Sequence, residues 1–140
     1  MLRLYPGGDT VGAQCAVSRV RLHEWEFGSA TFRSDSGGSD GRHPDRVAFT
    51  NAKEDAQRRD FTINGMFYDP VEEKIIDYVG GREDLDKGVI RAIGNPQERF
   101  REDYLRMMRA LRFSTVLGFE IEPDTWCAIQ RQADQITKIS

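Results

Sequence analysis

The stretch Arg58-Arg59-Asp60-Phe61-Thr62-Ile63-Asn64 decides how this chain is read, together with Glu102-Asp103-Tyr104-Leu105-Arg106 and the arginines after it. Each segment sets carboxylates beside guanidinium groups. Arginine forks match phosphate oxygens, and an adjacent Asp can orient a fork or contact a ribose hydroxyl. The first segment equally suits a helix C-terminus, where the dipole favours cations, with Asn64 as a second cap or a turn residue. In the second segment, Asp103, Arg106, Arg109 and Arg112 stand three apart on one expected helix. Each step of three drifts about 60° round the axis. The four form a slanting stripe whose neighbours can act together.

Asp103 and Arg106 have complementary chemistry. A carboxylate accepts hydrogen bonds and a guanidinium donates them in a rigid fork. Adenine and cytosine both offer an amino donor beside a ring-nitrogen acceptor, whereas guanine and uracil offer a carbonyl beside a ring N–H. One Asp/Arg pair can therefore accept A and C and reject G and U. A wrong base leaves buried polar groups unpaired, at roughly 1–3 kcal/mol each. The same spacing also makes ordinary surface ion pairs, Glu102–Arg106 and Asp103–Arg106, worth a few tenths of a kcal/mol.

Working outward, Asn51-Ala52-Lys53-Glu54 fits a capping box, so a helix is expected from Ala52 carrying Glu54, Asp55 and Arg58. Met66-Phe67-Tyr68-Asp69 and Ile75-Ile76-Asp77-Tyr78-Val79 flank a Pro70 turn and predict a β-hairpin ended by Gly80-Gly81. Alternating apolar residues predict strands over 16–22 and 29–33, and 34–45 reads as a long mobile loop. Val89 to Ile93 is a short strand or an apolar linker. A helix is expected from Pro96, capped by Asn95, to about Leu117, with Phe100, Tyr104, Met107, Met108, Leu111 and Thr115 as its core stripe. Gly118 stops it, and Pro123 to Ile136 predicts another amphipathic helix. Strands first and helices later imply an α+β fold followed by an all-α segment. No internal repeat is visible.

Composition narrows the class. The 140 residues are 39% hydrophobic and 31% charged, which suits a soluble, surface-rich chain. No run approaches the roughly 18 apolar residues of a membrane span, and the N-terminus is too short and polar for a secretory signal. A cytoplasmic location is expected. Cys15 and Cys127 form no metal-binding spacing and are expected to be free, buried or partly buried thiols; His23 and His43 show no ligand spacing either. The net charge of −3 argues mildly against nucleic acid, but arginines crowd at 58–59 and 99–112. A basic face or a salt-bridged helix surface both fit that pattern.

Taken together these motifs resemble a known family. Arg58 to Asn64 resembles the second signature motif of class II tRNA nucleotidyltransferases (CCA-adding enzymes) and bacterial poly(A) polymerases. Asp77-Tyr78-Val79-Gly80-Gly81-Arg82-Glu83-Asp84-Leu85 resembles the motif joining head to neck, and Glu102 to Phe113 the base-reading motif. Thr31-Phe32-Arg33 with Ser39 to Pro44 is similar to the strand end and flexible loop that precede them. Order and spacing match over nearly the whole chain.

The resemblance implies the C-terminal part of a polymerase-β-like nucleotidyltransferase head domain over 1–85, followed by the start of an α-helical neck domain over 86–140. It implies template-independent addition of nucleotides to an RNA 3′ end (tRNA CCA or poly(A)) from ATP and CTP. Arg59, Asp60 and Asn64 would hold the nucleotide, Asp103 and Arg106 would read its base, and Arg109 and Arg112 would complete the pocket. Asp77 to Leu85 would be a hinge. Partners would be ATP or CTP and the tRNA 3′ end, with no membrane.

Departures from the family pattern are equally specific. A glycine-rich motif with an Asp-x-Asp pair, which holds Mg²⁺ in the full-length family, has no counterpart here, since Met1 to Pro6 resembles the region after it. The third carboxylate would fall at Gly28, and Glu26, of the same strand parity, lies about 7 Å away. No catalytic or metal-binding residue is therefore assigned, and the expectation is a fragment inactive by itself. The alternatives are a non-catalytic nucleotide- or RNA-binding module and one half of a split enzyme. An exposed sheet edge would favour self-association.

Overall fold

The computed structural model describes residues 8–10, 17–22, 24–36 and 46–138. Strands β1 (Gly8–Thr10), β2 (Val17–Leu22) and β3 (Trp25–Ala30) form an antiparallel sheet in that order, with Val20 opposite Phe27. The strand expected over 29–33 is instead divided. Ser29 and Ala30 close β3, and Arg33 opens β4 (Arg33–Ser36), which pairs antiparallel with β5 (Arg46–Phe49). An alternating pattern reports extended chain but not its partner, so it runs unbroken across a change of sheet. Of the loop expected over 34–45, Ser34 to Ser36 belong to β4, and 37–45 lie outside the described residues, as do Cys15, His23 and His43.

Helix α1 (Ala52–Gln57) begins as expected: Asn51 Oδ1 accepts the Glu54 N–H at 3.0 Å. The other arm of the capping box is diverted, because the Glu54 carboxylate accepts the Thr50 hydroxyl. The chain then passes through Phe61, which bridges antiparallel to Ala92, into a 3-10 turn at Thr62–Asn64. The hairpin is β6 (Met66–Asp69) with β7 (Lys74–Asp77); Asp69 Oδ1 closes its turn by accepting the N–H groups of Val71 and Glu72.

Gly80-Gly81 does more than end the hairpin. Gly80 adopts φ 79°, and α2 (Gly81–Lys87) starts directly after it. Asp77 folds over that start: Oδ1 accepts N–H from Val79, Gly80 and Gly81, and Oδ2 accepts it from Arg82. Burial opposes its charge, but these four donors outweigh it and hold the Asp77 carboxyl below its ordinary range. The expected hinge therefore carries a helix whose first two amides are capped by Asp77.

Strand β8 (Val89–Ile90) pairs in parallel with β9 (Glu120–Ile121). Between them lie α3 (Pro96–Glu102) and α4 (Leu105–Leu117), the latter ended by Gly118 at φ 69°. Helix α5 (Pro123–Gln132) runs into a 3-10 stretch, Ala133–Lys138. One helix was expected over Pro96–Leu117, and two are found. The break shifts the buried face: Phe100 and Met107 are core, but Met108 and Thr115 are exposed, and Ala110 and Phe113 take their places. Phe61 and Ile90 from the strand-rich part pack with Phe100, Met107, Ala128 and Ile129 from the helices in one core. Cys127, expected at least partly buried, is exposed. Among the described residues no helix is long and apolar enough to cross a membrane.

Candidate functional site

One wall of the site grows from the end of α1. Asp55, almost wholly buried, holds two successive arginines. Its Oδ1 accepts Nε of Arg58 at 2.9 Å, and its Oδ2 accepts Nε and Nη2 of Arg59 at 3.1 and 2.9 Å. Arg59 also donates Nη1 to the Asn64 carbonyl at 3.1 Å and lies 5.0 Å over the Phe67 ring. Asp60 is buried too, and both of its oxygens are taken. Oδ1 accepts the Phe61 N–H at 2.9 Å and Nδ2 of Asn64 at 3.1 Å, and Oδ2 accepts Nε of Arg109 at 2.6 Å. Asp60 thus orients Asn64 and Arg109.

The other wall is the start of α4, and here the expected stripe is corrected. Asp103 is not helical: it has φ −153° and ψ 103°, and its Oδ1 accepts the Leu105 N–H at 2.9 Å. A short acceptor that can bond the backbone two residues on favours breaking and restarting the helix, so the even three-residue stripe does not extend to Asp103. Arg106 pairs with Glu102, Nη1 to Oε2 at 2.7 Å, and the same Oε2 accepts Arg99 at 2.8 Å. Burial opposes the Glu102 charge, but bonds from Arg106 and Arg99 outweigh it and keep its carboxyl below the ordinary range. Nη2 of Arg106 reaches the Arg58 carbonyl at 3.2 Å, joining the two walls.

Between the walls lies a cleft of about 550 Å³ lined by Arg58, Arg59, Asp60, Asn64, Asp103, Leu105, Arg106, Arg109 and Phe113. Six of the seven residues singled out from sequence meet there; Arg112 does not. It is exposed, with its guanidinium 4.9 Å over the Phe113 ring. Phe113 itself stacks edge-on to Phe61 at 5.9 Å and lies under Arg109 at 5.2 Å. Four guanidinium groups against two carboxylates make the lining net positive, in a chain that is net negative. Such a lining attracts a polyanion, and Leu105 and Phe113 add apolar surface.

Five contributors escaped the sequence reading as site residues: Asp55, Glu102 as the anchor of Arg106, and Arg58, Leu105 and Phe113 in the lining. The first two were legible as acid–arginine pairs at i,i+3 and i,i+4. Phe113 was not, because only the packing of α4 on Phe61 turns it to the cleft.

Among the described residues no group of three or more His, Cys, Asp or Glu is placed to hold an ion. Asp84-Leu85-Asp86 has the Asp-x-Asp pattern, but buried Asp84 accepts the Thr62 hydroxyl at 2.7 Å and Nε of Arg91 at 3.0 Å. Gly28, where a third carboxylate was expected, stands opposite Arg19 in the sheet, and Glu26 stands opposite Arg21.

The fold is α+β, strands followed by helices, with the charged cleft where the 58–64 segment meets α4. The chain belongs to the family described as the poly A polymerase head domain, whose model matches residues 7–91. It is 47% identical over 130 residues to a CCA-adding enzyme of Ligilactobacillus salivarius, covering 92% of this chain and 32% of the relative. A CCA-adding enzyme of Bacillus subtilis is 39% identical over 139 residues, covering 99% and 35%. The fold matches the crystal structure of Bacillus stearothermophilus CCA-adding enzyme in complex with CTP, with TM-score 0.86 and 37% identity over 99% of this chain and 33% of that one. A tRNA nucleotidyltransferase complexed with a primer tRNA and an incoming ATP analog matches at TM-score 0.72 and 28% identity, covering 91% and 34%. The chain spans about a third of the length of these relatives.

Proposed function

We propose that the cleft binds ATP and CTP in preference to GTP and UTP, as the nucleotide-selecting part of a template-independent RNA 3′-end nucleotidyltransferase of the CCA-adding kind. One observation carries this reading: the 58–64 segment and the α4 arginines, far apart in sequence, share one net-positive cleft through Arg106 on Arg58 and Arg109 on Asp60. The likeness to a relative in complex with CTP supports it. Arg58, Arg59 and Arg109 would face the phosphates, Phe113 and Leu105 would flank the base or sugar, and Asp103 with Arg106 would read the base edge. Asp60 and Asn64 would hold this frame. For Asp103 and Arg106 to act together on a base, Arg106 must turn some of its donors from Glu102 towards the cleft.

In this reading residues 1–85 are head and 86–140 begin the helical neck, with tRNA as the acceptor in the full-length protein. Mg²⁺ is expected of the full-length family. The described residues do not fit it, and this part is assigned only the binding and orienting of nucleotide.

Calorimetric titration with the four nucleoside triphosphates tests the proposal. ATP and CTP should bind at least about tenfold tighter than GTP and UTP, the effect of one unpaired buried group. Asp103→Ala should erase the difference. Equal affinities for all four, or no binding, would refute it.

A further inference from the structure

Within the cleft, the residue that sets both arginines of the first wall does not itself line it. Asp55 lies behind them on α1, its side chain 3% exposed, while those of Arg58 and Arg59 are 20% and 36% exposed. Arg58 presents Nε and Nη2 to Oδ1, and Arg59 presents Nε and Nη2 to Oδ2. Each guanidinium thus turns the same edge, Nε with Nη2, to a single oxygen of one carboxylate. Two contacts from one edge constrain a planar group that is otherwise free to rotate about a flexible stem. Asn64 adds a third point for Arg59 through its carbonyl.

The spacing explains why one residue can serve two. Asp55 sits in the last turn of α1, and Arg58 and Arg59 follow at i+3 and i+4, the two positions a helix brings beside it. With α1 ending at Gln57, the pair lies where the helix gives way to the segment that enters the core at Phe61.

We propose that Asp55 is a positioning residue for phosphate recognition: it pre-orients Arg58 and Arg59 so that the guanidinium groups lining the cleft meet a triphosphate without being reordered. This inference rests on the nucleotide reading of the cleft. Charge and geometry make opposite forecasts for its removal. A carboxylate near the phosphates repels them, so neutralising it would tighten binding if charge alone mattered. Releasing two guanidinium groups at once would weaken binding, because both must be ordered again by the ligand. Asp55 stands behind two guanidinium groups that lie between its charge and the cleft, so its repulsion of a ligand is weak and orientation should dominate.

The test is calorimetric titration of the chain and its Asp55→Asn variant with ATP, GTP and inorganic tripolyphosphate at physiological salt. Circular dichroism melts would establish that the variant is folded. Asp55→Asn should bind ATP and tripolyphosphate about tenfold more weakly, despite losing a negative charge, while keeping the ATP-over-GTP ratio. Asp55→Glu should recover affinity only in part, because it restores the charge but displaces the carboxylate. Unchanged or tighter binding by Asp55→Asn would overturn the inference, as would loss of the ATP-over-GTP ratio in a folded variant. Absence of nucleotide binding by the unsubstituted chain would overturn the nucleotide reading itself.

Discussion

Replacing Asp60 tests the frame of the cleft most directly. Its carboxylate accepts three hydrogen bonds, from Phe61 N–H, from Asn64 and from Arg109. The Arg109 bond is short and charge-assisted, but that side chain is 37% exposed, so the lower end of the usual range applies, about 1.5 kcal/mol. Asp60→Ala also leaves the N–H of Phe61, a residue with 0% exposure, without its acceptor, at roughly 1–3 kcal/mol. With the neutral Asn64 bond, Asp60→Ala should cost roughly 3–6 kcal/mol in all. Asp60→Asn keeps an acceptor for Phe61 and should cost only roughly 1.5–2 kcal/mol. At roughly 3 °C per kcal/mol for a chain of this size, the alanine variant should melt about 10 °C lower. Urea and thermal unfolding followed by circular dichroism read both numbers. A double-mutant cycle with Arg109→Met should return about 1.5 kcal/mol of coupling. An alanine variant costing under about 1 kcal/mol, or an asparagine variant equal to it, would show that Asp60 does not organise the cleft as described.

Acid should loosen the molecule at identifiable points. The carboxyls of Asp77, Glu102 and Glu122 are all held below their ordinary range. A depressed folded pKa contributes stability above the unfolded value and loses it as pH falls through the folded one, so stability should be flat near neutrality and decline below about pH 4. Replacing Asp77 with Asn should flatten that decline, and an unchanged acid limb in urea titrations would contradict it. Gly81→Ala should destabilise by about 1–3 kcal/mol or more, because an added Cβ would meet the Thr62 carbonyl oxygen at 2.2 Å and Met66 Cγ at 2.9 Å. Gly28→Ala, with nothing within 4 Å, is the control; equal melting temperatures for the two would refute the packing argument. Among the described residues β1 and β3 bound the three-stranded sheet, and we propose that such an edge can self-associate. Sedimentation velocity should show a concentration-dependent shift, and a constant monomer value would count against it.

Several elements are legible in the sequence because their signals are local. The Asn51 cap, the hairpin around Pro70, the Gly118 stop and the start of α5 at Pro123 each depend on a few adjacent residues. The break at Asp103 was not legible. Apolar spacing from Phe100 to Leu111 is compatible with a continuous helix, and only the capping bond to Leu105 and the packing of Met107 and Ala110 against Phe61 and Ile90 select two. The split of the 29–33 strand between two sheets was hidden for a related reason: partner choice is a long-range property.

The sequence by itself determined which chemical groups this protein brings to a nucleotide: arginines in two clusters, each with a carboxylate at helical spacing. Spacing allowed the local pairs, Asp55 with Arg58 and Arg59 and Glu102 with Arg106, three or four residues apart. Tertiary structure decided the one that joins the clusters, Asp60 with Arg109. Local geometry limits a helix to pairs three or four apart, whereas buried Asp60, outside any helix, is satisfied by an arginine far along the chain. Arg112, equal to the others in sequence, was left outside the cleft by the turn of α4 alone.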